Sequence, residues 1–239
     1  STNAANKLTL VLQYNPNVIN YTSQLFMNNK TDNSIHRNYT PLMYLARFGT
    51  ITQVLSTLNT AIANNIQVNL QIKDSNNETI FDYANKNNDS RINNSITIYS
   101  ESIMQFFIYF IPEENNLYDT AISYLNKNSK NLNKQYGPYN QNIVMTLLKY
   151  GSPQQVYNFL NSWKNQISWD IYDAYYITPF DYFLKNISVA FYFTSKYLPI
   201  FQQIPSLNKT DKYNRNIFLD GFIRQLTSIQ IIDGYIDFV

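Results

Sequence analysis

The chain has 239 residues, 44% of them hydrophobic, enough to bury a substantial apolar core in one large or two small domains. Its net charge of +2 is too small for electrostatic capture of nucleic acid, and the absence of cysteine excludes disulfides, thiolate metal sites and cysteine nucleophiles. Charged residues make up only 14%; the 35 asparagines take their place, a bias that low-GC coding explains without selection on function.

In chain order, Leu8 to Met27 reads as a pair of capping helices within an N-terminal segment, 1–37. Ser75–Asn77 and Asn85–Asn94 read as loops. Ile103–Ile111 is too short for the roughly 18–20 apolar residues that cross a bilayer, so it reads as a buried helix. The other apolar stretch, Ile187–Phe201, is broken by Ser188, Thr194, Ser195 and Lys196 and reads the same way; no transmembrane segment is predicted. Lys127–Gln141 is a longer connection, in which Lys127, Lys130 and Lys134 read as a solvated basic loop flanked by Tyr124 and Tyr136.

Across these segments runs an internal repeat. Thr40–Asn59 reads TPLMYLARFGTITQVLSTLN and Asn142–Asn161 reads NIVMTLLKYGSPQQVYNFLN. The two share Met43/Met145, Leu45/Leu147, Gly49/Gly151, Gln53/Gln155, Val54/Val156, Leu58/Leu160 and Asn59/Asn161 without a gap. TIFDYA at Thr79–Ala84 recurs as TPFDYF at Thr178–Phe183, with a fainter echo at Asn116–Ala121. Units therefore start near 40, 79, 116, 142, 178 and 216, a spacing that suits a repeat protein.

Each unit predicts helix, turn, helix and loop. Thr40 beside Pro41 caps a first helix, because its side-chain oxygen accepts from a free first-turn N–H while proline fits the first helical position. Leu42, Leu45 and Ala46 recur at helical spacing, and Gly49 is expected in the left-handed conformation that ends a helix. Ile51, Val54, Leu55 and Leu58 line one face of the second helix. One such pair cannot bury its face alone, so neighbours must stack.

Thr40, Pro41, Leu42, Ala46 and Gly49, with Val54 and Leu58 beyond them and Asp74 and Thr79 at the next loop, resemble the signature of the ankyrin-repeat family. That resemblance implies an all-α solenoid of helix–turn–helix repeats forming a single domain over 1–239. Met43 and Met145 stand where the family carries histidine, and loop glycines are mostly missing, so longer second helices and irregular fingers are expected.

Sites of chemistry are scarce. Asp82, Asp119 and Asp181 recur in the first helical turn, where a carboxylate favours the helix dipole, and they read as capping groups rather than a metal site. His36 is the only histidine, so the common zinc sets fail and no triad suggests itself. Glu113–Glu114 reads as an exposed helix start after Pro112, and there is no phosphate-binding glycine loop. Trp163 reads as core, while Tyr175 and Tyr176, in the loop before Thr178, suit core and interface equally.

The family resemblance implies a non-enzymatic protein–protein interaction module, meeting its partner on the concave face made by first helices and loop fingers. Carried over by position, the partner-binding residues are Tyr44, Arg47 and Phe48, then Lys149 and Tyr150, with Lys185 extending the row and Tyr175 and Tyr176 beside it. The expected partner is another protein with acidic and apolar features; no cofactor, metal or nucleic acid is expected, and the chain is expected to be a soluble monomer. Low-GC composition together with the resemblance suggests a bacterial effector or virulence-related protein delivered into a host cell. An enzyme or toxin with an unfamiliar active site, and a self-assembling structural component, are the alternatives.

Overall fold

In the computed structural model, residues 2–22, 27–28, 35–36, 38–190, 192, 196–208, 210, 216, 218–219 and 221 are described. Among the described residues the regular structure is helical apart from one short ladder, in which Met27–Asn28 (β1) pairs antiparallel with Ile35–His36 (β2), and two isolated bridges. The helices fall into two compact units, Ser1–Tyr124 and Leu125–Val239, with the division inside one helix. No helix among the described residues is long and apolar enough to cross a membrane.

The first unit contains α1 (Thr2–Tyr14), α2 (Pro41–Phe48), α3 (Ile51–Ala63), α4 (Ile80–Asn85), α5 (Ser90–Glu101), α6 (Ile103–Phe110) and most of α7 (Asn116–Lys127). Thr40 starts α2 by accepting from the Met43 N–H at 3.2 Å. Thr50 and Gln53 start α3 with a reciprocal pair of bonds, side chain to backbone in each direction. Such a box satisfies two donors that a helix start otherwise leaves open. α2 packs on α4 and α3 on α5, so first helices stack on first helices and second on second, with α1 against α3. Leu42, Leu45, Ala46, Val54 and Leu58 lie almost wholly inside, each large aliphatic side chain contributing on the order of 1.5–3 kcal/mol by leaving water.

The second unit repeats the scheme. It contains α8 (Ile143–Tyr150), α9 (Pro153–Trp163), α10 (Pro179–Leu184), α11 (Ile187–Ala190) and α12 (Leu198–Phe201). Asn142 takes the place of Thr40, accepting from Met145 N–H at 3.0 Å, and Ser152 with Gln155 repeats the Thr50–Gln53 box. α8 packs on α10 and α9 on α11. The core here is more aromatic: Phe180, Phe183 and Phe201 meet in edge-to-face and stacked pairs, and Trp163 and Trp169 are both buried. The second helices α3 (13 residues) and α9 (11) outrun α2 and α8 (8 each), whereas α11 (4) is shorter than α10 (6).

An asparagine in each unit ties one helical pair to the next. Asn87, just after α4, donates through Nδ2 to the carbonyls of Ala46, Arg47 and Gly49 at the end of α2. Asn186, just after α10, donates to those of Leu148 and Gly151 at the end of α8, both at 2.9 Å. The last carbonyls of a helix have no partner within it, and these side chains supply one.

Several expectations are corrected. Gly49 and Gly151 are extended rather than left-handed, with φ of −85° and −68°. Gly49 is required for space instead: a Cβ there would stand 2.6 Å from the Leu45 carbonyl oxygen, which its own N–H bonds. The described residues of the segment 1–37 form one helix, a 3-10 turn at Pro16–Asn20 and the β1–β2 ladder, not a pair of helices. Asn85–Asn94 is not one loop, because Asp89 accepts from the Arg91 N–H and starts α5 at Ser90. Ile187–Phe201 is not one buried helix; α11 ends at Ala190, α12 begins at Leu198, and Ile187 is exposed. The unit expected near 216 lies mostly outside the described residues, as do Ser34 and the side chain of His36.

Candidate interaction site

The loops between helical pairs are built on one template. Asp74 in the first unit is buried; its Oδ1 accepts from the Asn76 and Glu78 N–H groups at 2.9 and 2.8 Å, and its Oδ2 from the Tyr83 hydroxyl at 2.8 Å. Asp173 in the second unit does the same: Oδ1 takes the Tyr175 and Ile177 N–H groups at 2.8 and 2.9 Å, and Oδ2 the Tyr182 hydroxyl at 2.8 Å. Burial, then the hydrogen bond to the aspartate, pushes both tyrosine phenols well above their ordinary range. Each loop turns through a left-handed residue at the matching place, Asn77 with φ 66° and Tyr176 with φ 61°.

The two templates carry opposite surfaces. The first presents Ser75, Asn76 and Asn77, all exposed and polar. The second presents Tyr175 and Tyr176, 64% and 60% exposed. Asparagine tolerates a left-handed backbone because its short side chain bonds locally; tyrosine gains no such relief and loses roughly 1–2 kcal/mol there.

A neighbouring turn extends the aromatic surface. Tyr136 and Gln141 bridge across a turn in which Gly137 and Asn140 have positive φ, and Tyr139 stands on it, 43% exposed. The Ala174 N–H donates to the Tyr139 carbonyl at 2.8 Å, and Gln135 Nε2 donates to the carbonyls of Asn140 and Tyr172. The Tyr139 and Tyr175 rings stack, with centroids 5.9 Å apart and planes at 23°. Below them Lys149 and Lys185 flank the Tyr182 ring at 5.9 and 5.6 Å, and Lys149 also lies 4.8 Å from the Tyr150 ring.

The residues proposed from sequence therefore divide. Lys149, Tyr150, Tyr175, Tyr176 and Lys185 all belong to the second unit, and the first two and Lys185 are joined through aromatic rings. Tyr44, Arg47 and Phe48 belong to the first and are largely engaged there. Arg47 donates to the Lys86 carbonyl and covers the Phe48 ring at 5.4 Å, while Phe48 lies 5.1 Å from Tyr44. Lys86, which matches Lys185, is paired with Glu78. Tyr44 also lines a cleft of about 390 Å³ with Leu8, Val18, Tyr21, Tyr39 and Pro41, and burial pushes its phenol up.

Sequence reasoning missed Tyr139, Tyr182 and Asp173. Asp173 could have been found by adding the 99-residue offset of Thr79/Thr178 to Asp74, and Tyr139 is marked by the turn signal Gly137–Pro138 before it. The capping aspartates behave as expected: Asp82 and Asp181 accept from the backbone N–H groups of Thr79 and Thr178 at 2.7 and 2.8 Å. Glu113 lies 3.7 Å from Arg91 and Glu114 accepts from Asn116, so the pair does not converge on one point. Among the described residues no group of three metal-ligating side chains comes together.

No family model and no curated protein matches the chain. A solved structure that does match is described as a predatory endopeptidase from Bdellovibrio bacteriovorus in complex with an immunity protein. It shares 16% identity, covers 85% of this chain and 99% of its own, and has a TM-score of 0.33. That finding overturns the functional expectation of a non-enzymatic interaction module on a concave face, delivered as an effector into a host; the similar complex is described in terms of an endopeptidase and immunity.

Proposed function

We propose that this chain is an immunity-type protein, one that holds another protein against the tyrosine-bearing loop tips of its second unit and so blocks it. The observation that carries the proposal is the contrast between the two loops: the same aspartate-centred backbone bears asparagine tips in one unit and tyrosine tips in the other. The first loop shows what the fold needs; the difference is left for recognition. Tyrosine suits that task because it offers large contact area, a hydroxyl and only two rotatable side-chain bonds. The bonds from Ala174 and Gln135 hold both tips before any partner arrives, which lowers the ordering cost of binding.

We further infer that the stacked helical pairs are degenerate ankyrin-like repeats. The α2/α4 and α3/α5 packing, its counterpart in the second unit and the capped Thr-Pro starts support that reading.

The test is a loop graft, Tyr175→Asn with Tyr176→Asn, which gives the second loop the tip of the first. Partners recovered with the wild-type protein are assayed for their own activity as the protein is titrated in. Inhibition that is complete near one equivalent and lost in the graft is expected. Equal inhibition by a folded graft, shown by unchanged helical circular dichroism, would sink the proposal.

A further inference from the structure

The charge around the tyrosine tips limits what can sit on them. From Leu125 onward the sequence carries nine lysines and two arginines against seven aspartates, of which Asp170, Asp173 and Asp181 lie among the described residues. Two of those carboxylates, Asp173 and Asp181, are buried and committed to backbone N–H groups, leaving Asp170 as the exposed acid among the described residues of this unit. In the first unit Lys86, the counterpart of Lys185, and Arg91 form ion pairs with Glu78 and Asp89. Lys149 and Lys185 have aromatic rings beside them and no carboxylate within ion-pair distance among the described residues.

These cations are continuous with the tips. Lys149 and Lys185 both lie against the Tyr182 ring; the Tyr182 hydroxyl bonds Asp173, Asp173 holds the Tyr175 N–H, and Tyr175 stacks on Tyr139. The paired ammonium groups and the stacked phenols are thus joined, through buried Tyr182 and Asp173, into one contact strip. Ammonium groups that meet no carboxylate attract an anionic partner, repel a cationic one and steer encounter from a distance.

We propose that this strip is a receptor for an acidic protein segment that also carries aromatic side chains: its carboxylates meet Lys149 and Lys185 while its rings stack on Tyr139, Tyr175 and Tyr176. The proposal rests on the loop-tip reading above and names the chemistry of the partner. Polyanions without rings, nucleic acid included, satisfy the lysines and leave the tyrosines unused.

Full-length protein is titrated with four labelled probes: a glutamate–tyrosine copolymer, polyglutamate, a lysine–tyrosine copolymer and single-stranded DNA, each by fluorescence anisotropy at low and high salt. The glutamate–tyrosine copolymer is expected to bind tightest, by about tenfold over polyglutamate and DNA, and to weaken as salt screens the lysines. Lys149→Gln with Lys185→Gln is expected to remove the salt dependence, and the Tyr175→Asn/Tyr176→Asn graft to remove the advantage over polyglutamate. Equal binding of the lysine–tyrosine copolymer, or no effect of the lysine changes, would overturn the acidic assignment while leaving the loop-tip reading to the graft experiment. Polyglutamate or DNA binding as tightly as the glutamate–tyrosine copolymer, or no binding of that copolymer, would also overturn it. Helical circular dichroism of each variant separates these outcomes from misfolding.

Discussion

Tyr176 stands where the backbone favours asparagine or glycine, and its partner position in the first unit, Asn77, shows the favoured choice. Tyr176→Asn is therefore expected to stabilise the protein by about 1 kcal/mol, a rise of about 2–4 °C in Tm for a chain of this size. Thermal denaturation checks this, and a fall in Tm would show that the tyrosine packs rather than recognises. Other tyrosines hold the fold by staying neutral. Burial pushes the phenols of Tyr99 and Tyr197 up to about 12, and those of Tyr83 and Tyr182 higher still. Because their folded pKa values exceed the unfolded value of 10.0, the stability they contribute is complete below that pH. It is lost as pH climbs through the folded values. Absorbance titration of phenolate should show Tyr83, Tyr99, Tyr182 and Tyr197 ionising together with loss of helical signal. Ionisation of all tyrosines in one step near 10 would contradict this.

At the scale of elements, the capping chemistry was legible in sequence and the ties between elements were not. Thr40–Pro41 and Thr178–Pro179 start helices where the pattern placed them, since a cap needs only residues three apart. Gly49 was read correctly as a helix end but for the wrong physical reason. Composition cannot distinguish a glycine required for backbone angle from one required because its neighbour's carbonyl leaves no room for a Cβ. Asn87 and Asn186 looked like ordinary loop asparagines among 35, because their partners lie 35 to 41 residues away. Asn186→Ala leaves buried carbonyls of Leu148 and Gly151 without that donor and is expected to cost about 2 kcal/mol. Asn87→Ala, at a half-buried site that water can reach, should cost less. Chemical denaturation of both variants measures the difference, and equal losses would mean that burial does not set the value of this tie.

For the whole molecule, the 3.6-residue periodicity and the repeat were enough to predict an all-helical chain of stacked pairs, because local pattern and global packing agree there. The interaction site was harder. Residues carried over from the helix row put Tyr44, Arg47 and Phe48 together with Lys149 and Tyr150, yet no periodicity reports that Arg47 is already satisfied by the Lys86 carbonyl. The proposed site rests instead on an internal comparison: two loops with one hydrogen-bond plan and different tips. The most direct measurement is site-specific photocross-linking, with benzoylphenylalanine placed at Tyr176 in one protein and at Asn77 in another. Covalent capture of the blocked partner from position 176, and none from 77, is the predicted result. Capture of that partner from 77, with position 176 silent, would contradict the assignment of recognition to the second unit's tyrosine tips.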